Sequence, residues 1–198
     1  MDEDYILIKK MLTKKQIFKI LELIINKNEQ ESKVGQRVAK EKKIRKDIFL
    51  TQKESKELDK DIFYNIQKIV KNKFEIKLNY RESYKIGTYY GDEKGFYIPH
   101  TDTQGSMQHR KISMVICLSK SVDYQGGIFK LVDLNKQFKF DIGDAIIFKS
   151  NILHGVEPVI HGIRQVLVSF MWDEDGEHIR QKNNPAIDNL RYLPKNNT

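Results

Sequence analysis

Apolar positions early in the chain recur at intervals of three and four. Ile17, Ile20, Leu21 and Ile24, continued by Asn28, fall on one face and predict an amphipathic helix over 13–28, with Thr13 as its N-cap. Leu58, Ile62, Ile66, Ile69 and Val70 predict a second helix over 54–72. Ile48, Phe49 and Leu50 read as a short strand between them. From about Ile76 the period shortens to two. Strand-like runs follow at 84–90, 96–102, 110–118, 127–132, 137–140, 145–149, 155–159 and 164–172, separated by Gly and Asp. Helices followed by about eight short strands predict a mainly β, α+β fold: a barrel or jelly roll with two supporting helices on one face. No repeat or linker divides the chain, so it reads as one domain over 1–198. Residues 1–77 form the helical support, 78–173 the β core, and 174–198 a polar surface tail.

Composition narrows the class. The chain has 198 residues, 39% hydrophobic and 31% charged, enough for one sizeable core and unlike a disordered chain. The net charge of +8 suits either an acidic partner or a Lys-rich composition with no functional meaning. The basic run 32–46 is either a substrate-facing loop or a solvated surface. It carries no aromatic residue on which bases would stack, which favours the solvated surface. A lone cysteine, Cys117 in an apolar run, excludes an internal disulfide and suggests a buried thiol in a reducing, cytoplasmic setting. No signal peptide or membrane-spanning run is apparent.

The chemistry centres on Tyr97-Ile-Pro-His100-Thr-Asp102. On an extended strand, His100 and Asp102 share a face. His154 is the best distant third donor. Two His and one carboxylate with an open opposite face make the donor set of non-heme Fe(II) oxygenases. Arg164 lies ten residues beyond His154. If a turn near His161-Gly162 reverses the chain, its guanidinium enters the same cavity, where it suits bidentate capture of a carboxylate.

Five motifs then combine in one order: Tyr84-Lys-Ile-Gly87, Tyr97 to Asp102, Tyr124-Gln-Gly-Gly127, Gly143-Asp-Ala-Ile-Ile-Phe148, and His154 to Arg164. Together they resemble the Fe(II)- and 2-oxoglutarate-dependent dioxygenases, in the branch of the prolyl 4-hydroxylases and PKHD-type hydroxylases. The resemblance covers about residues 78–172. It implies a double-stranded β-helix (jelly-roll) core. His100, Asp102 and His154 become the iron ligands and catalytic centre, and Arg164 the grip on the distal carboxylate of 2-oxoglutarate. Arg rather than Lys at that position sides with the PKHD-type members. Tyr84 matches a tyrosine that hydrogen-bonds 2-oxoglutarate, with a core aromatic as the alternative. Tyr97 either lines the substrate pocket or packs. Asp144 matches a structural turn residue, and His109, His161 and His178 read as surface residues. The implied cofactors are Fe(II), 2-oxoglutarate and O2, with ascorbate as a possible reductant. The implied reaction hydroxylates a C–H bond, of prolyl type, in a protein, peptide or amino-acid-like substrate, with succinate and CO2 as co-products.

Two departures stand out. Ile128 and Phe129 follow the Gly-Gly pair, where the family often has Glu, and Gly91 to Gly95 lengthens the link to His100 into a flap at the pocket mouth. Loops 33–48, 91–96 and 103–109 are the expected substrate contacts. Two other readings stay open: a nucleic-acid oxidative demethylase, and a noncatalytic jelly-roll binding module. No further Arg just beyond Arg164 supports the first, and the intact donor set speaks against the second. Oligomeric state has no sequence signal.

Overall fold

A computed structural model describes residues 4–35 and 37–183. The chain opens with strand β1 (Tyr5–Ile8) and helix α1 (Lys14–Glu22). Three short strands follow: β2 (Gln30–Glu31), β3 (Lys43–Ile44) and β4 (Lys46–Phe49). Helices α2 (Gln52–Asp59) and α3 (Phe63–Phe74) come next. The β core comprises β5 (Tyr80–Arg81), β6 (Lys85–Tyr90), β7 (Phe96–His100), β8 (Ile112–Cys117), β9 (Tyr124–Gly126), β10 (Phe129–Leu131), β11 (Lys136–Phe138), β12 (Ala145–Lys149), β13 (His154–Val156) and β14 (Val159–Trp172). Helix α4 (Glu174–Asn183) closes the described chain.

Local chemistry sets the helix ends. Thr13 and Thr51 each accept a hydrogen bond from the backbone N–H three residues on, and the Gln16 and Glu54 side chains accept one from the cap backbone N–H, so both helices start with capping boxes. The expected helix over 13–28 ends at Glu22, and the expected helix over 54–72 is two helices with a turn at Lys60-Asp61. Leu58, Ile62, Ile66 and Val70 remain in one buried row across that break, so periodicity did not register it.

Two antiparallel sheets form the jelly roll. The larger runs β1-β12-β8-β14-β6-β4-β2, with β5 and β9 also pairing with β14; the smaller runs β11-β10-β13-β7-β3. Seven of the eight expected strand segments overlap a single strand, whereas 155–159 is split between β13 and β14. Residues 1–77, expected to be helical support, also contribute strands: β1 pairs with β12, β4 with β6, and β3 with β7. The tail expectation also fails at its start, since 174–183 is helix α4 with Glu177 and Arg180 buried. Residues 184–198 lie outside the described residues.

Each face of the larger sheet has its own core. Ile86, Ile112, Met114, Ile116, Leu167 and Met171 point toward α1, α2 and α3 and join Ile17, Ile20, Leu58 and Ile66. The alternate positions Tyr89, Val115, Cys117, Val166, Val168 and Phe170 point between the sheets with Phe129, Phe148 and Val156. Strand β8 is buried at all six positions because both faces are covered.

The crossover that builds the site lies at Glu157-Pro158. Strand β13 belongs to the smaller sheet and β14 to the larger, so the chain changes sheets there rather than turning at His161-Gly162. Gly162 instead kinks β14 with φ +74°, and a Cβ there would lie 2.0 Å from the Asp123 carbonyl oxygen.

Candidate metal and oxo-acid site

Strand pairing brings the two histidines together. His154 on β13 is the direct cross-strand partner of His100 on β7, with ring centroids 4.2 Å apart. Asp102 follows the end of β7, and its backbone N–H donates to Ser150 O at 2.9 Å. Ligand atoms of His100, Asp102 and His154 all lie within 4.8 Å of one another. Asp102 Oδ1 is 3.5 Å from His100 Nε2, and Asp102 Oδ2 is 3.4 Å from His154 Nε2. Ligands at right angles about 2.1 Å from a metal would be roughly 3 Å apart, close to the two carboxylate–imidazole separations.

The imidazole tautomers are fixed from behind. His100 Nδ1 faces Ile98 O and His154 Nδ1 faces Ile152 O, both at 2.9 Å. A carbonyl only accepts, so each Nδ1 carries the proton and each Nε2 presents its lone pair to the shared centre. Ser113 Oγ donates to Asp102 Oδ2 at 2.7 Å and orients the carboxylate. Burial opposes ionisation of Asp102, but His154, His100 and Arg110 outweigh it and hold the group well below the usual carboxylate range. Burial lowers the pKa of His154, which favours the neutral, ligating form. The Tyr97 ring stacks on His100 at 3.5 Å and 20°, restraining that imidazole.

These groups open into a cavity of about 700 Å³, a volume that suits a small ligand. Arg164 reaches it from β14. The residue is 1% exposed, and none of its three guanidinium nitrogens has a hydrogen-bond partner among the described residues. A buried guanidinium without an acceptor is costly, so this one calls for an anion. Its Cζ lies 5.2 Å from the centre of the Tyr89 ring, whose hydroxyl accepts from Arg45 Nη1 at 3.4 Å. The donor set fits a divalent metal, and Arg164 fits the far carboxylate of an oxo-acid.

Residues 85–172 match the family model described as the 2OG-Fe(II) oxygenase superfamily. Over that segment, a little under half of the chain, the protein is similar to this superfamily. The chain is 37% identical over 91 residues to a PKHD-type hydroxylase of Sphingopyxis alaskensis, covering 44% of this chain and 40% of that protein. It is 38% identical over 78 residues to a PKHD-type hydroxylase of Colwellia psychrerythraea, covering 38% of this chain and 33% of the relative. The matches thus span less than half the length of these curated relatives. Among solved structures, a Trichoplax adhaerens prolyl hydroxylase, in complex with a hypoxia inducible factor oxygen degradation domain peptide fragment, superposes with TM-score 0.74. The identity is 17%, covering 89% of this chain and 86% of that one. A Pseudomonas putida prolyl-4-hydroxylase gives TM-score 0.69 at 14% identity, covering 86% and 93%. At these identities the likeness is one of fold alone, the antiparallel jelly roll.

The structure brings His100, Asp102, His154, Arg164 and Tyr97 to one cavity and leaves Tyr84 outside it. Tyr84 lies in the helix-side core, and its hydroxyl donates to Asp59 Oδ1 at 3.0 Å. The side-chain alternation of β6 explains the correction. Tyr84 shares the face of Ile86, whereas Lys85, Gly87 and Tyr89 face the cavity. Tyr89, not Tyr84, is therefore the tyrosine beside Arg164, and period-two parity with Ile86 was the signal that could have found it.

Other expectations also change. Lys43 and Arg45 in the basic run are buried at 4% and 6% exposure and line the cavity, so that part is not a solvated surface. Residues from loops 33–48 and 103–109 line the cavity, whereas none from 91–96 does. His109 is buried at 2%, edge-on to Trp172, not on the surface. His161 and His178 are exposed, Cys117 is buried, and Asp144 is structural, accepting from Lys9 Nζ at 2.7 Å. No helix among the described residues is long and apolar enough to cross a membrane.

Proposed function

We propose that this protein is an Fe(II)- and 2-oxoglutarate-dependent dioxygenase that hydroxylates a C–H bond of an amino-acid side chain in a protein or peptide. The observation that carries the reading is Arg164: a buried guanidinium without a hydrogen-bond acceptor among the described residues, facing the cavity that holds the His-Asp-His set. The PKHD-type relatives and the prolyl hydroxylase fold support a peptide-like substrate.

His100, Asp102 and His154 would hold the metal on one face and leave the opposite face open. Bound there with its oxo-acid and O2, iron supplies the oxidising chemistry, with succinate and CO2 as co-products and ascorbate as an external reductant. The protein supplies position. Arg164 takes the distal carboxylate, and Tyr89 packs against the guanidinium. Ile98 O and Ile152 O hold the proton on each Nδ1, so both Nε2 atoms remain acceptors. Val115, Phe129, Val156 and Val166 make an apolar wall that limits water around the reacting centre.

The test is succinate release from 2-oxoglutarate with Fe(II), beside direct metal binding. The wild type binds metal and turns over the oxo-acid. Asp102→Ala loses metal affinity by more than about a hundredfold, since even residues that only support a ligand cost 10–100-fold. Unchanged metal affinity in that variant would remove Asp102 from the site.

A further inference from the structure

The cavity wall carries cations that the hydroxylase reading leaves unused. Positions 43, 45, 47 and 49 alternate inward along β3 and β4, placing Lys43, Arg45, Asp47 and Phe49 on the cavity. Strand β6 adds Lys85. The guanidiniums are accounted for. Arg45 Nε pairs with Asp47 Oδ1 at 2.7 Å and its Nη2 with Oδ2 at 3.0 Å, while Ser32 donates to the same carboxylate at 2.6 Å. Arg110 pairs with Glu82 at 2.6 Å. Gly87 makes room for this packing, since a Cβ there would lie 2.8 Å from Arg45 Cδ.

The two ammonium groups lack carboxylates. Lys85 has no hydrogen-bond or ion-pair partner among the described residues, and its Nζ lies 5.2 Å from the Phe170 ring centre and 6.0 Å from that of Phe49. Lys43 Nζ donates only to Lys33 O, at 3.3 Å, and sits 4.5 Å from the Tyr97 ring centre. That ring in turn stacks on His100. Burial, then Arg45 and Lys85, pull Lys43 down to about 5. Burial, reinforced by Arg45 and Arg110 and opposed by Asp47 and Glu82, lowers Lys85 to about 8. Lys43 is therefore a neutral amine near pH 7 until an anion between the two side chains raises both pKa values, so that the anion binds with uptake of a proton.

The oxo-acid is not that anion. Strand register puts Tyr89 opposite Arg164 and Lys85 opposite Val168, four residues apart on β6. Four residues of strand span about 13 Å, longer than a five-carbon diacid held by Arg164 at one end. Nucleic acid is disfavoured because these lysines lie within the cavity, where a neutral base would enter while its phosphates stay outside.

We propose that Lys43 and Lys85 form an anion subsite for the substrate, which is an amino acid or peptide presenting a carboxylate close to the C–H that is hydroxylated. This rests on the hydroxylase reading and narrows it, because a prolyl ring within a peptide carries no charge.

The experiment follows lysine ε-methylene NMR signals in the full chain loaded with Zn(II) and 2-oxoglutarate, so that Arg164 is already filled. The Lys43→Met and Lys85→Met variants assign the two signals. Acetate is expected to shift both saturably, while neutral acetamide shifts neither. Lys85→Met is expected to weaken acetate about tenfold, the scale of one lost charge-assisted bond. The wild-type comparison stands even if a variant fails to fold. Acetate that moves only exposed lysines, or nothing, overturns the subsite. In that case Zn(II) and 2-oxoglutarate binding in the same sample leave the hydroxylase reading intact, and their failure to bind overturns that reading as well. A single-stranded oligonucleotide that saturates both signals where acetate does not overturns the peptide assignment.

Discussion

The two faces of the larger sheet are made by the same strands and differ in almost every other respect. On the helix side, Ile86, Met114, Ile116 and Leu167 pack against α1, α2 and α3, and the buried Arg81, Asp59 and Tyr84 satisfy one another. Arg81 donates twice to Asp59, at 2.6 and 2.7 Å, and Tyr84 adds a third bond. On the cavity side, Arg164 and Lys85 meet aromatic rings but no hydrogen-bond acceptor among the described residues, and three metal-donor atoms crowd together. The first face is satisfied in the protein alone. On the second, Arg45 with Asp47 and Arg110 with Glu82 pair within the protein, but Arg164 and Lys85 meet an acceptor only when a charged ligand arrives. Unmet hydrogen-bonding and charge on one face thus mark where stability gives way to binding.

Mutations on the two faces should separate cleanly. Ile116→Ala on the helix side should cost about 2–5 kcal/mol of stability by leaving a cavity. Denaturant titration measures this, and a loss below about 1 kcal/mol would mean that this face is loosely packed. Arg164→Met on the cavity side should act in the opposite sense. The ligand-free protein should be as stable as the wild type or more so, because a buried unpaired charge is removed. Its affinity for 2-oxoglutarate should fall roughly a hundredfold, about 3 kcal/mol, for two charge-assisted bonds lost. If Arg164→Met destabilises the empty protein as Ile116→Ala does, the contrast between the faces is gone.

His109 sharpens the rule because it is unsatisfied outside the cavity. Its ring nitrogens make no hydrogen bond of good geometry among the described residues, with only the Ser106 backbone as a weak partner and the Glu82 carboxylate 4.0 Å away. Burial, reinforced by Arg110 and opposed by Glu82, pulls its pKa down to about 4 from 6.5. The unfolded chain therefore takes up the proton first. This contribution to stability is complete above pH 6.5 and is lost as pH falls toward 4, at most about 3 kcal/mol. His109→Gln should flatten the stability profile in that window, measured as the denaturant midpoint against pH. The smallest effect belongs to Tyr84→Phe. Losing one bond to an already paired Asp59 should cost about 1 kcal/mol and leave 2-oxoglutarate affinity unchanged. A marked loss of that affinity would return Tyr84 to the oxo-acid site.

Much of the site was legible because its residues are chemically rare in combination. A His-x-Asp, a later His and an Arg ten residues on are visible without coordinates, and so is the change of period that separates helices from strands. What misled was orientation. Tyr84 and Tyr89 lie on opposite faces of one run by parity, and the pairing of β6 between β4 and β14 shows which of the two faces meets the cavity. The basic run read as solvated because alternation between Lys43, Arg45 and Asp47 looks like any charged surface until β3 and β4 join the sheets. His109 read as exposed because polar residues usually are.

Sequence by itself therefore determined the donor types, their order along the chain and the alternation of apolar positions, because these follow from side-chain chemistry and from the local periods of helix and strand. Tertiary structure alone decided that His100 faces His154 across a strand pair, that Arg164 is buried without an acceptor, and that two lysines share its cavity. Those facts depend on which distant strands lie side by side, and no local period encodes that pairing.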